Sequence, residues 1–163
     1  MVSKRLIHEA GHKRKFLAVI DDSPECDRAV LYAARRAAST SGSLALLYVI
    51  PPGDFQHWIG VEEIMRAEAN ELGETTLDRF AQYSREHCDH DPEKVLKEGK
   101  TADEIIKLIE EDQDIALLVL AASDSSEGPG PLVSSIAGRG SAFPIPVTVV
   151  PCSMSNDDIY NVT

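Results

Sequence analysis

The chain has 163 residues, 43% of them hydrophobic, which suits one domain with a full core and leaves little room for a second. Its formal charge of -11 gives an acidic surface that repels phosphates, so nucleic-acid binding is disfavoured. No run of about 18 uncharged apolar residues occurs, and none follows the positive charges of the opening residues, so the chain is expected to be soluble, unsecreted and free of membrane partners. Cys26, Cys88 and Cys152 are odd in number and widely spaced, which argues against a disulfide framework and points to a reducing, cytoplasmic compartment.

Residues 1–14 contain Lys4, Arg5, Lys13 and Arg14 and read as a flexible, solvated basic leader. The main domain is expected over residues 15–151. Lys15 to Ile20 is a short apolar run that ends abruptly in Asp21-Asp22-Ser23-Pro24, the pattern of a buried strand. Ser23 as N-cap and Pro24 at the first helical position predict a helix to about Ser39, with Cys26, Ala29, Val30, Ala33, Ala34 and Ala37 on its apolar face and Gly42 closing it. Leu44 to Ile50 is again almost continuously apolar, as a parallel strand covered on both faces must be.

Pro51-Pro52-Gly53 ends that strand, and a segment with Phe55, His57 and Trp58 leads to a long helical pattern from about Val61 to His87. Its stripe is Ile64, Ala67, Leu72, Leu77, Phe80 and Tyr83. Lys94 to Gly99 reads as a third strand, and Thr101-Ala-Asp-Glu104 as a capping box opening the next helix. Ile115 to Ala122 is the most apolar stretch and belongs at the sheet centre beside the first strand. A polar loop, a weaker helix from about Pro131 to Ala142 and a β-branched strand at Pro146 to Val150 complete the domain. Residues 152–163 are a polar tail. The order βαβαβαβαβ with right-handed crossovers predicts a parallel sheet between two helical layers.

Phe16-Leu-Ala-Val-Ile-Asp-Asp-Ser-Pro-Glu25 resembles the opening of the universal stress protein family, with Asp22 in place of the usual small residue. Leu46-Leu47-Tyr48-Val49-Ile50 resembles the family's second-strand Leu-Leu-His-Val motif, and Ile145-Pro-Val-Thr-Val-Val150 its closing Cys-Pro-Val-Leu-Val-Val. The resemblance covers residues 15 to 151 and implies a single, open, five-stranded Rossmann-like parallel sheet of order 3-2-1-4-5, helices on both faces, with a ligand cleft where the order reverses between strands one and four.

Some family members hold ATP in that cleft through glycines spaced Gly, two residues, Gly, nine residues, then Gly and Ser or Thr. Here the first two positions fall on Ala121 and Asp124, and the third near Val133 or Ser134, so the signature is degenerate. Gly140-Ser141 also follows Gly130 by nine residues, but lies too far into the last helix to reach a phosphate. A phosphate cradle needs free backbone N–H groups, and in Gly128-Pro129-Gly130-Pro131 the glycines permit close approach while the prolines remove two donors. The amides of Leu132 and Val133 and the amides and hydroxyls of Ser134 and Ser135 remain as donors for a phosphate or sulfate. The competing reading makes the loop a stiff surface turn with no ligand. Asp21 matches a residue that contacts adenine in ATP-binding relatives, and is expected to combine capping with lining of the site. Asp21, Val49, Ala121, Gly128, Gly130, Ser134 and Ser135 are the candidate residues for ATP or another adenine nucleotide with Mg.

His87-Cys88-Asp89-His90 has two histidines within reach of one metal, but without a second cluster it reads as an exposed helix end, and His8 and His12 read alike. Cys26 lies near a helix N-terminus but beside two aspartates, and reads as a core residue. No Gly-x-Ser-x-Gly elbow is present, and the Ser-Gly-Gly-x-Asp-Ser of ATP pyrophosphatases has no counterpart, so no dedicated reaction beyond weak ATP hydrolysis is expected. The terminal strand Val147 to Val150 would expose unpaired backbone groups unless a second copy covered it. In the family such strands pair antiparallel across a two-fold axis, which implies a homodimer bounded here by Pro146 and Pro151. Two readings stand: a stress-response adaptor that senses an adenine nucleotide or small anion, and a ligand-free dimeric scaffold acting through its acidic surface.

Overall fold

A computed structural model of the chain describes residues 3–53, 59–88 and 91–163. The strands are β1 (Lys15–Ile20), β2 (Ser43–Ile50), β3 (Glu93–Glu98), β4 (Ile115–Ala122) and β5 (Val147–Pro151). The helices are α1 (Cys26–Ser39), α2 (Ile59–Arg85), α3 (Thr101–Glu111), α4 (Pro131–Ala137) and α5 (Asn156–Val162). The sheet is parallel with order β3-β2-β1-β4-β5.

Alternation along the strands divides the core in two. Phe16, Ala18, Ile20, Leu46 and Val119 face the layer of α1, α2 and α5, and Leu17, Val19, Leu47, Leu118 and Leu120 face α3 and α4. Because both faces are covered, the inner strands carry apolar residues at consecutive positions. The small side chains of Ala29, Ala33, Ala34 and Ala37 are fully buried and bring α1 close against β1 and β4.

Several expected details change. α1 starts at Cys26, with Glu25 as N-cap and no side-chain cap, because Ser23 turns its amide and hydroxyl to Asp21 instead. Gly42 does close α1, its amide donating to the Ala37 carbonyl at 2.9 Å, but the left-handed residue is Ser41 (φ 54°). The glycine is required by space: a Cβ at Gly42 would lie 2.5 Å from the Arg14 carbonyl oxygen.

Thr101 is already helical in α3, and the N-cap Lys100 makes no side-chain cap, so no capping box forms there. Glu104 bonds Lys107 Nζ at 2.6 Å instead. The weak helix breaks after Ala137, with Gly138 at its end and a 3-10 turn at Gly140–Ala142. The α2 stripe is also divided. Leu77 and Phe80 are buried, whereas Ile64 is 62% and Leu72 54% exposed. A helix of 27 residues is about 40 Å long and β3, of six residues, about 20 Å, so the first half of α2 overruns the sheet. Phe55, His57 and Trp58 lie outside the described residues.

Residues near both ends of the described chain pack against the domain. The leader, expected to be free, places the Arg5 guanidinium on the carbonyls of Ile109 (2.7 Å), Ile115 (3.1 Å) and Asp112 (3.2 Å), and Ser3 Oγ on Glu110 (2.7 Å). In the tail, Ser155 and Asp158 form the reciprocal capping box that opens α5, and Ile159 is fully buried against α1. Asp158 lies below its ordinary pKa because the Ser155 amide and hydroxyl hydrogen-bond its carboxylate.

Candidate functional site

β1 and β4 are neighbours whose chains leave in opposite directions, β1 toward β2 and β4 toward β5, so their carboxyl ends open a crevice. Its volume is about 220 Å³, with Asp21, Asp22 and Glu25 on one side and Ala121, Gly130 and Pro131 on the other. A second cavity of about 610 Å³ adjoins it over the α3 and α4 layer, lined by Lys100, Thr101, Asp103, Ser135 and Arg139. Asp21, Pro131 and Leu132 line both, so the two adjoin in a bend around the start of α4.

Asp21 leaves the sheet directly after Ile20, and its Oδ1 accepts the Ser23 amide at 2.9 Å and the Ser23 hydroxyl. This closes an Asx turn and holds the carboxylate at the junction of the cavities. Oδ2 makes no hydrogen bond among the described residues. Asp22 accepts long hydrogen bonds from the Tyr48 hydroxyl at 3.3 and 3.4 Å, and burial together with the Asp22 charge raises the Tyr48 pKa. The Cys26 thiol is pushed up to about 12, first by burial and then by Asp21. A thiol so far from ionising is not a nucleophile at neutral pH.

The loop after β4 spends its polar groups on itself. The Ser123 amide donates to Pro129 O at 3.0 Å, the Gly128 amide to Ser125 O at 3.1 Å, and Ser125 Oγ to Gly128 O at 3.2 Å. Gly128 (φ 113°) and Gly130 (φ 106°) occupy backbone conformations that favour glycine. The Ser134 amide donates to Gly130 O at 3.0 Å and so is not presented to a ligand. Arg139 Nη2 donates to Asp103 Oδ1 at 3.0 Å, while Lys100 makes no ion pair among the described residues.

The structure therefore brings Asp21, Ala121 and Gly130 together in the crevice, and Asp21 and Ser135 in the larger cavity. Val49, Gly128 and Ser134 line neither. Val49 is 8% exposed in the core beneath α3. Lys100 and Arg139 were missed because they lie on either side of the segment that the glycine spacing pointed to, in no motif of their own, and only α3–α4 packing unites them. Among the described residues no three His, Cys, Asp or Glu side chains gather as a metal site. Asp89 and His90, in the histidine pair weighed above, lie outside the described residues. No helix among the described residues is long and apolar enough to cross a membrane.

The topology and the crevice at its reversal define a doubly wound α/β domain of the Rossmann-like type. The chain belongs to the universal stress protein family, whose family model matches residues 13–151. Universal stress protein UspA from Lactobacillus plantarum is similar in structure, with a TM-score of 0.70 at 16% identity over 85% of this chain and 98% of that one. A universal stress protein solved in complex with cAMP has a TM-score of 0.64 at 19% identity, covering 86% of this chain and 98% of its own. The universal stress protein from Archaeoglobus fulgidus in complex with dAMP has a TM-score of 0.58 at 18% identity, covering 84% and 97%. At these identities the likeness is one of fold. Among curated proteins none matches.

Proposed function

We propose that this universal stress protein is a stress-response adaptor that binds an adenine nucleotide in the bent groove and acts through association with partners in the cytoplasm. The observation that carries the reading is the junction of the two cavities at Asp21, Pro131 and Leu132. Ligand sites commonly need about 300 to 1,000 Å³, which the crevice alone lacks and the adjoining cavity supplies. The family neighbours solved with cAMP and dAMP support it. Asp21 and the apolar wall of Leu132 would receive the base and sugar, and Lys100, Ser135 and Arg139 offer donors for phosphate. The three free cysteines fit a reducing compartment.

The test is thermal unfolding with millimolar adenosine, AMP and cAMP. A ligand of the folded state raises the midpoint by mass action, and Leu132→Trp, which fills the groove, is expected to abolish the shift. No shift with any of the three at saturating concentration overturns the reading.

A dimeric scaffold is the second reading, favoured by one observation: β5 is a sheet edge with Val149 41% exposed. An uncovered edge invites pairing with a second copy over Val147 to Val150, bounded by Pro146 and Pro151. Sedimentation at micromolar concentration is expected to give a dimer for the parent protein and a monomer for Val149→Lys; a monomeric parent overturns it.

A further inference from the structure

We infer that the groove takes a nucleotide carrying a single phosphate group, seated at the Lys100–Arg139 end, in preference to a triphosphate or its Mg complex. The inference rests on the reading of the groove as an adenine-nucleotide site and adds which phosphate state it accepts.

Charge along the groove is divided. The crevice end carries Asp21, Asp22 and Glu25 and no cationic side chain among its lining residues. The far end carries Lys100 and Arg139, opposed by Asp103. Arg139 commits Nη2 to Asp103, and among the described residues this leaves Nη1 and Nε without partners and Lys100 without an ion pair. A phosphate placed here meets Lys100, the free edge of Arg139 and the Ser135 hydroxyl, against the carboxylates of Asp103 and Asp21. The same phosphate placed at the crevice end meets three carboxylates.

The loop that would otherwise receive a phosphate chain offers it few donors, with only the amides of Leu132 and Val133 at the start of α4 left beside the crevice. Gly128 N–H and Ser123 N–H bond carbonyls within the loop, Ser134 N–H bonds Gly130, and Pro129 and Pro131 have no N–H. With Lys100 uncommitted and Arg139 shared with Asp103, the far end can offset at most the charge of one phosphate. Two further phosphoryl groups add negative charge that meets no remaining cation and lies within the field of the crevice carboxylates and of a chain of net charge -11. A Mg ion would offset part of this charge, which makes Mg-ATP a stronger competitor than free ATP.

Titration calorimetry with adenosine, AMP, ATP and Mg-ATP tests the assignment. AMP is expected to bind at least about fivefold more tightly than ATP at low salt, with the ratio shrinking as added salt screens the carboxylates. Lys100→Gln/Arg139→Gln is expected to weaken AMP by about tenfold and leave adenosine unchanged, since exposed charges at these positions contribute little to folding. Asp22→Asn is expected to recover ATP binding selectively. Mg-ATP binding as tightly as AMP, or a double variant that keeps its preference for AMP over adenosine, overturns the single-phosphate assignment while the nucleotide-binding reading stands. Failure of adenosine and of every nucleotide to bind overturns the underlying reading itself.

Discussion

The two ends of the parallel sheet are built on opposite terms. At the amino-terminal end, polar groups are matched: Lys15 Nζ lies 2.5 Å from Asp112 and 2.8 Å from Glu93, His12 lies 2.7 Å from Asp114, and Arg5 covers three carbonyls at the end of α3 and the start of β4. At the carboxyl end, Asp21, Asp22 and Glu25 crowd one crevice with no cation lining it, Lys100 has no ion pair among the described residues, and two cavities remain open. An end that satisfies its own groups has little left to offer a ligand. An end that leaves like charges and space unfilled gives up stability for recognition, the trade expected where a fold carries a site.

The contrast breaks most readily at Arg5. Arg5→Ala strips a charged donor from three carbonyls, and is expected to cost about 2 kcal/mol, or about 4–8 °C in Tm, whereas Asp22→Asn at the other end should leave Tm unchanged or slightly raised because a like charge is removed. Paired calorimetric melts check both. Equal losses at the two ends would dissolve the comparison.

Alkaline titration sharpens it further. Burial alone would lower the Lys15 pKa, but the hydrogen bonds and charges of Asp112 and Glu93 outweigh it and hold it above the ordinary 10.5. A group raised in the folded state contributes stability that is whole below its unfolded pKa and is lost as pH climbs through the folded value. Urea unfolding followed between about pH 9 and 12 should therefore lose stability above about 10.5, and Lys15→Met should lessen that decline. A variant that declines as steeply as the parent would place the alkaline loss elsewhere.

The smallest effect concerns Cys26, which lines the crevice yet is 3% exposed with a pKa near 12. A thiol reagent at mildly alkaline pH is expected to leave Cys26 unmodified in the native protein and to label it on unfolding. Rapid native labelling, located by mass spectrometry, would show the crevice end to be more open than its packing implies.

Much of this was legible in the residues. Lys15–Ile20 and Ile115–Ala122 are strands at the expected bounds, because an apolar run covered on two faces has few alternatives, and the alternation of strand and helix points to a parallel sheet. The placement of Asp21 followed from its position after β1. Local signals failed where the same groups found other neighbours or where the packing beneath them ran out. Ser23 bonds Asp21 instead of capping α1, Thr101 enters α3 without a box, and Ile64 and Leu72 keep helical spacing on a stretch of α2 with no sheet beneath it.

The leader and tail read as solvated because their composition is polar, yet one guanidinium and one isoleucine suffice to anchor them once α3 and α1 exist to receive them. The cationic half of the groove was equally hidden. Lys100 and Arg139 are ordinary exposed residues until α3 and α4 pack side by side. What the sequence by itself determined was the parallel sheet and the carboxylates that rim the end of β1, since these follow from hydrophobic periodicity and from residues adjacent to a strand end, while the strand order was implied by the family resemblance. Only the tertiary structure decided where positive charge meets that rim, because this depends on contacts between helices that no local pattern encodes.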